Sequence, residues 1–210
     1  SVSFRAGHQH SRILKGLIVD TAGKRRTIPV IFLVLVILIL PTMATGEWKQ
    51  LEKGLELGLF LSPIPSERGD SVVRVLRIDP TYFSFKLANA SSTAEGRPLS
   101  AKQWSKKNLF QATINAGMYQ ADHKTAVSLM ITKGHINNPR VSKDRAILAF
   151  DPRNRKDPAV RLIDRQCDNF KELKGRYRTL VQSIRMISCR GANVWEQQSE
   201  QWSTATLAQD

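Results

Sequence analysis

Three stretches carry side chains that could do chemistry on a polar substrate. In "TINAGMY", Asn115 closes a strand-like run, and a flexible Ala116-Gly117 pair leads to Met118 and Tyr119. An amide at a strand end can point into a cleft, and glycine lets a ligand approach the backbone. The competing reading of Asn115 is an ordinary strand-to-turn residue. In "QSIRM", Gln182, Ser183 and Arg185 interrupt an otherwise apolar segment. Period-two alternation puts Gln182 with Ile184 on one face, and Ser183, Arg185 and Ile187 on the other. An arginine in such a strand demands a partner, either a carboxylate or a substrate phosphate. In "QWSTATLAQD", Ser203, Thr204 and Thr206 bring hydroxyls beside Trp202.

Other enzyme signatures are missing from the sequence. It holds no glycine-rich phosphate loop, no HExxH and no GxSxG. His123 and His135 sit in polar turns and read as surface residues rather than bases. Cys167 and Cys189 allow one disulfide, with inert thiols as the alternative, and without clustered histidines they exclude a structural zinc site. No metal ligand set and no cofactor is indicated.

The elements that must position these residues are mostly strands. "LELGLFL" alternates leucine with other residues, and "SVVRVLRIDP" and "TYFSFKLANA" are two β-rich runs around an Asp79-Pro80 turn. A short helix is expected over Ser100 to Lys107, with Ser100 as its cap and Trp104 facing the core. Further strands are expected at Gln111 to Asn115, Ala126 to Thr132, "RAILAFDP", "AVRLIDR" and a long "TLVQSIRMIS". "KGHINNPR" and "GANVW" read as turns, "CDNFKELKGRY" as a helix with Asp168 in its first turn, and Ser203 to Leu207 as a half-buried strand. Many strands and two short helices make an α+β domain on a twisted, largely antiparallel or mixed sheet.

The order "INAGMY", "ITKGHINN", "VQSIRMI", "GANVW" and "WSTATLAQD" resembles the phosphodiester glycosidase domain family, of the uncovering-enzyme type. The resemblance covers Glu47 to Asp210, with its specific motifs between Ile114 and Asp210. It implies hydrolysis of a sugar 1-phosphodiester at the anomeric carbon. Asn115 and Tyr119 fall on the family's Asn-Gly-aromatic turn, Gln182 and Ser183 on its Gln-Ser pair, and Thr204 on the Thr of its Arg-Thr-Ala strand. The resemblance thus implies catalytic roles for Asn115, Gln182, Ser183 and Thr204 and a substrate contact for Tyr119, while Arg185, Trp202 and Ser203 are substrate-contact candidates by their own residue types. There are departures. Ala116-Gly117-Met118 replaces the double glycine, Ile184 and Arg185 stand where Gly and Pro are typical, and Ser203 stands where Arg is typical. The family also carries an acidic, glycine-rich motif some tens of residues after its Thr-Ala strand. Glycoside cleavage ordinarily uses two carboxyl groups. Here Asp168 and Asp210 are candidates by position alone, so the expectation is a domain incomplete at its C-terminus. The alternative is an inactive scaffold or glycan-binding domain of the same fold.

Charge and hydropathy set the remaining bounds. With 41% hydrophobic and 24% charged residues, the chain can build an ordinary core. Of the +14 formal charge, +5 lies before Ile28 and +9 from Glu47 onward, where bases are scattered among acids. Nucleic-acid binding is therefore only weakly signalled; the charge reads first as a solvated basic surface, and a preference for anionic small substrates fits equally well. The resemblance implies an anionic sugar phosphodiester or glycan as the partner. Lys24, Arg25 and Arg26 precede thirteen residues, Ile28 to Leu40, without a polar side chain, and Thr42, Ala44 and Gly46 follow. That is the pattern of an export signal, cleaved after Ala44 or Gly46, or of an uncleaved membrane anchor over 28–44. The expected organisation is a basic disordered extension at 1–27, the hydrophobic segment at 28–46, and one exported domain at 47–210.

Overall fold

The computed structural model describes residues 2–6, 46–67, 69–196 and 205–210. The hydrophobic segment at Ile28 to Leu40, its cleavage sites, and Trp202, Ser203 and Thr204 lie outside the described residues. Among those described, no helix is long and apolar enough to cross a membrane. The architecture is strand-rich and α+β-like, with antiparallel pairing throughout the described ladders. The chain divides into two compact units, Ser1–Gly7 with Asp79–Asp210, and His8–Ile78.

In the larger unit, strand β1 (Val2–Ala6) runs between β5 (Phe83–Leu87) and β6 (Ala112–Ile114). These five residues are a strand where the sequence suggested a disordered extension. "VSFRA" alternates in period two, and two neighbouring strands offer it a full ladder. The second sheet has the order β10-β9-β11-β7-β8, from β7 (Met130–Thr132), β8 (His135–Asn138), β9 (Ala146–Pro152), β10 (Val160–Asp164) and β11 (Tyr177–Ser183). One of its faces buries Leu129, Ile147, Ala149, Ile163 and Leu180 beneath helix α2 (Phe170–Leu173). On the other face, Phe150 meets Phe85 of β5 with ring centroids 5.9 Å apart. Phe150, Met130, Ile147, Ile163 and Val181 are almost wholly buried, each contributing roughly 2 kcal/mol by removal of apolar surface from water.

Helix α1 (Ala101–Asn108) follows its local code. Ser100 accepts from Gln103 N, the Gln103 side chain accepts from Ser100 N, and Trp104 is buried. Other elements depart from the pattern-based reading. "KGHINN" is a hairpin whose second arm is β8, because Lys133 and Gly134 both take positive φ and reverse the chain. The strand expected from Ala126 is regular only from Met130. The helix read into "CDNFKELKGRY" is a single turn capped by Asn169, so Asp168 precedes it rather than lying in its first turn. Strand β11 stops at Ser183, opposite Ala146 where β9 begins. The face assignment of Ser183, Arg185 and Ile187 therefore fails: Arg185 lies beyond the ladder. Residues 205–210 are likewise not a strand.

The smaller unit is a meander of β2 (Glu47–Glu52), β3 (Leu55–Leu61) and β4 (Val72–Ile78). Leu55, Leu57, Leu59 and Leu61 share one face. On the other, Trp48 meets Phe60 edge to face at 5.4 Å, with Arg77 4.0 Å above the Trp48 ring. Gly58 lies under both rings; a Cβ there would come within 3 Å of each.

Candidate functional site

The residues singled out by the sequence meet, in part, at one end of the five-stranded sheet. Asn115 leaves β6 as an exposed residue. Two residues on, the backbone of Gly117 passes over β11, where a Cβ would stand 3.6 Å from the Gln182 carbonyl oxygen. Tyr119 then bridges to Ala126, and its burial pushes the phenol pKa up. The turn between them is closed by Asp122, which accepts from the Thr125 hydroxyl at 2.6 Å and from the N–H groups of Lys124 and Thr125 at 2.9 Å. Those donors hold the exposed Asp122 carboxyl down to about 2, the hydroxyl foremost.

Gln182 is buried at the centre of this end. Its Oε1 accepts from Ser142 N at 3.0 Å and Leu129 N at 3.4 Å, and its Nε2 donates to the carbonyls of Ser142 and Asp144. Both lone pairs and both hydrogens are thereby used within the protein. Arg165 Nη1 donates to the same two carbonyls at 2.7 and 2.9 Å. The loop 139–145 is thus fastened to β11 and β10 by backbone atoms, leaving its side chains for other work. Within it Asp144 Oδ2 accepts from the hydroxyls of Ser142 at 2.7 Å and Ser128 at 3.0 Å. Arg140, Lys143 and Arg145 of this loop are exposed.

Arg185 finds a carboxylate as its partner. Its Nη1 donates to Asp164 Oδ2 at 2.7 Å and Oδ1 at 3.0 Å, and to Gln166 Oε1 at 2.9 Å. Both charged side chains are about 14% exposed or less. Burial acts to raise the Asp164 pKa, but it is outweighed by the Gln166 N–H, the Arg185 guanidinium and the Cys189 N–H, so the carboxyl lies below its ordinary value. Beside it Cys167 and Cys189 form a disulfide with Cα atoms 6.4 Å apart. Asp164 and the two sulfurs lie within 4.8 Å of one another, but bonded sulfurs are spent as metal ligands. Asp168 pairs with Arg161 and accepts from Asp164 N; Asp210 is exposed.

The structure therefore gathers Gly117, Gln182, Ser183 and Asp144 at one sheet end, with Asn115 and Tyr119 flanking Gly117 in the crossing segment. It gives Gln182 and Arg185 structural partners. Sequence reading passed over Asp144, Ser142 and Ser128. A Ser-x-Asp spacing in "RVSKDRA" was the available cue, but the third member, Ser128, is brought in by the segment leading into β7. It also missed that His135 Nε2 lies 2.8 Å from Ser91 Oγ, a hydroxyl that Asn137 and Asn89 also engage. His123, by contrast, is an exposed turn residue. The class of protein so defined is a strand-rich α+β chain with a polar, cation-flanked site at the end of its largest sheet. No family model, no curated protein and no solved structure matches the chain.

Proposed function

We propose that the chain is an exported phosphodiester glycosidase-like protein, cleaving the sugar–phosphate bond of a sugar 1-phosphodiester. One observation carries this reading: the segment bearing Asn115 and Tyr119 crosses β11 at Gln182, beside a carboxylate, Asp144, that is bonded to two hydroxyls. Two motifs 60-odd residues apart in the chain thus share one end of a sheet. In the reaction Asp144 handles the proton at the glycosidic oxygen, the role one carboxyl group plays in glycoside cleavage. Arg140, Lys143 and Arg145 supply positive charge for the phosphodiester. Gln182 positions the Asp144 loop rather than touching substrate. Export, by a cleaved signal or an anchor at 28–44, belongs to the same proposal and rests on the run Ile28 to Leu40.

The test is release of free sugar from a sugar 1-phosphodiester by the purified chain. Turnover is expected for the parent and at least a hundredfold less for Asp144→Asn. Turnover undiminished in Asp144→Asn would sink the assignment. A second reading, a scaffold that binds glycans without cleaving them, is favoured by the saturation of Gln182 and the closure of Arg185 on Asp164. It predicts a folded protein that binds the phosphodiester and releases no sugar.

A further inference from the structure

We infer that the opposite end of the five-stranded sheet is a docking face for an acidic polysaccharide. Here the β9–β10 loop brings Arg153, Arg155 and Lys156, the β7–β8 turn brings Lys133, and α2 with its connection to β11 brings Lys171, Lys174 and Arg176, with Arg178 just inside β11. Backbone bonds fix these segments against one another: Arg153 N donates to Arg176 O at 2.7 Å, and Lys133 N to Arg178 O at 3.0 Å. All eight basic side chains are exposed. Acids answer only some of them. Lys133 pairs with Asp151, and Arg176 with Asp157 and Glu172. Arg153, Arg155, Lys156, Lys171, Lys174 and Arg178 have no carboxylate partner among the described residues. A half-dozen uncompensated cations on a rigid edge repel one another unless an anion spans them.

The surroundings narrow the occupant. The exposed large apolar side chains include none between Val141 and Ile184, and beside Lys133 there is a single one, Ile136, so the face offers no apolar cluster to insert into a lipid layer or to form the dry centre of a protein interface. It offers no exposed aromatic ring for base stacking. Neither a seven-residue loop nor a one-turn helix is an element that enters a duplex groove. A flexible chain of sulfated or carboxylated sugars needs only spaced cations. This face lies the length of β11 from Gln182, about 20 Å, and does not rest on the hydrolase reading.

The experiment uses the full chain, a sulfated polysaccharide of the heparin type, and a short DNA duplex. Salt-dependent binding of the polysaccharide is expected. Arg153→Glu with Arg155→Glu and Lys156→Glu should weaken it on the order of tenfold or more and flatten its salt dependence. Lys49→Glu with Lys102→Glu and Lys106→Glu, equal in charge, should leave it within about twofold of the parent. Circular dichroism and melting verify that both variants fold; a misfolded loop triple is replaced by Lys171→Glu with Lys174→Glu, of which the same loss is expected. Equal loss in both sets would overturn the proposal in favour of net charge alone. So would duplex DNA binding more tightly than the polysaccharide at equal ionic strength, or absence of polysaccharide binding.

Discussion

Gln182 shows how a residue's type can be legible while its role is not. A polar amide in an apolar run is conspicuous in the sequence, and two roles fit it, substrate contact or internal strut. Its four hydrogen bonds decide for the strut. Gln182→Ala would take the acceptor from the N–H groups of Leu129 and Ser142, while the two carbonyls keep Arg165, and a cost of about 2 to 4 kcal/mol is expected, read as a lower denaturation midpoint in urea. Asp164 is the second such residue. Asp164→Asn would strand the Arg185 guanidinium at a largely buried position, at a cost of about 3 kcal/mol. Its folded pKa is depressed, so its contribution is present in full above the unfolded value, near 4, and is lost as pH falls through the lower folded value. Stability measured against pH should therefore drop below about pH 4 in the parent, with that portion of the drop missing in Asp164→Asn.

Elements with a local code were readable, and those without one were not. Helix α1 begins where "SAKQW" says it should because Ser100 and Gln103 satisfy each other's backbone donors. Ser100→Ala is expected to cost about 1 kcal/mol, measured by thermal melting. β3 matches its alternating leucines residue for residue, Leu55–Leu61. β8 and β2 were missed because "HINN" and "EWKQLE" carry little β-pattern of their own; each is made a strand by the partner its hairpin supplies. The end of β11 was overrun for the converse reason: apolar pattern continues to Ile187, but the ladder does not. After Ser183 the chain is held by Asp164 and by the Cys167–Cys189 bond. Opening that bond, which closes a separation of 22 residues, should cost about 3 kcal/mol. Parent and Cys167→Ser/Cys189→Ser unfolding curves provide the comparison.

At the scale of the whole molecule, β1 is the element with the widest reach, since it supplies the middle strand between β5 and β6. A chain starting at Glu47, as signal cleavage would leave it, deprives both of that neighbour. It is expected to melt at a lower temperature than the full chain, with faster amide exchange in Phe83–Leu87 and Ala112–Ile114. Equal melting and exchange would show the β1 ladder to be dispensable. The sequence by itself determined the strand-rich α+β class, the helix at Ser100, the apolar run at Ile28 to Leu40 and the residues worth testing, because periodicity, capping and composition act over a few neighbours. Only the tertiary structure decided that Gly117 meets Gln182, that Asp144 joins Ser128, that Arg185 answers Asp164 and that six basic side chains share one edge with no carboxylate partner among the described residues. Those are contacts between residues tens of positions apart, and their partners are chosen by sheet register and burial, which no local pattern encodes.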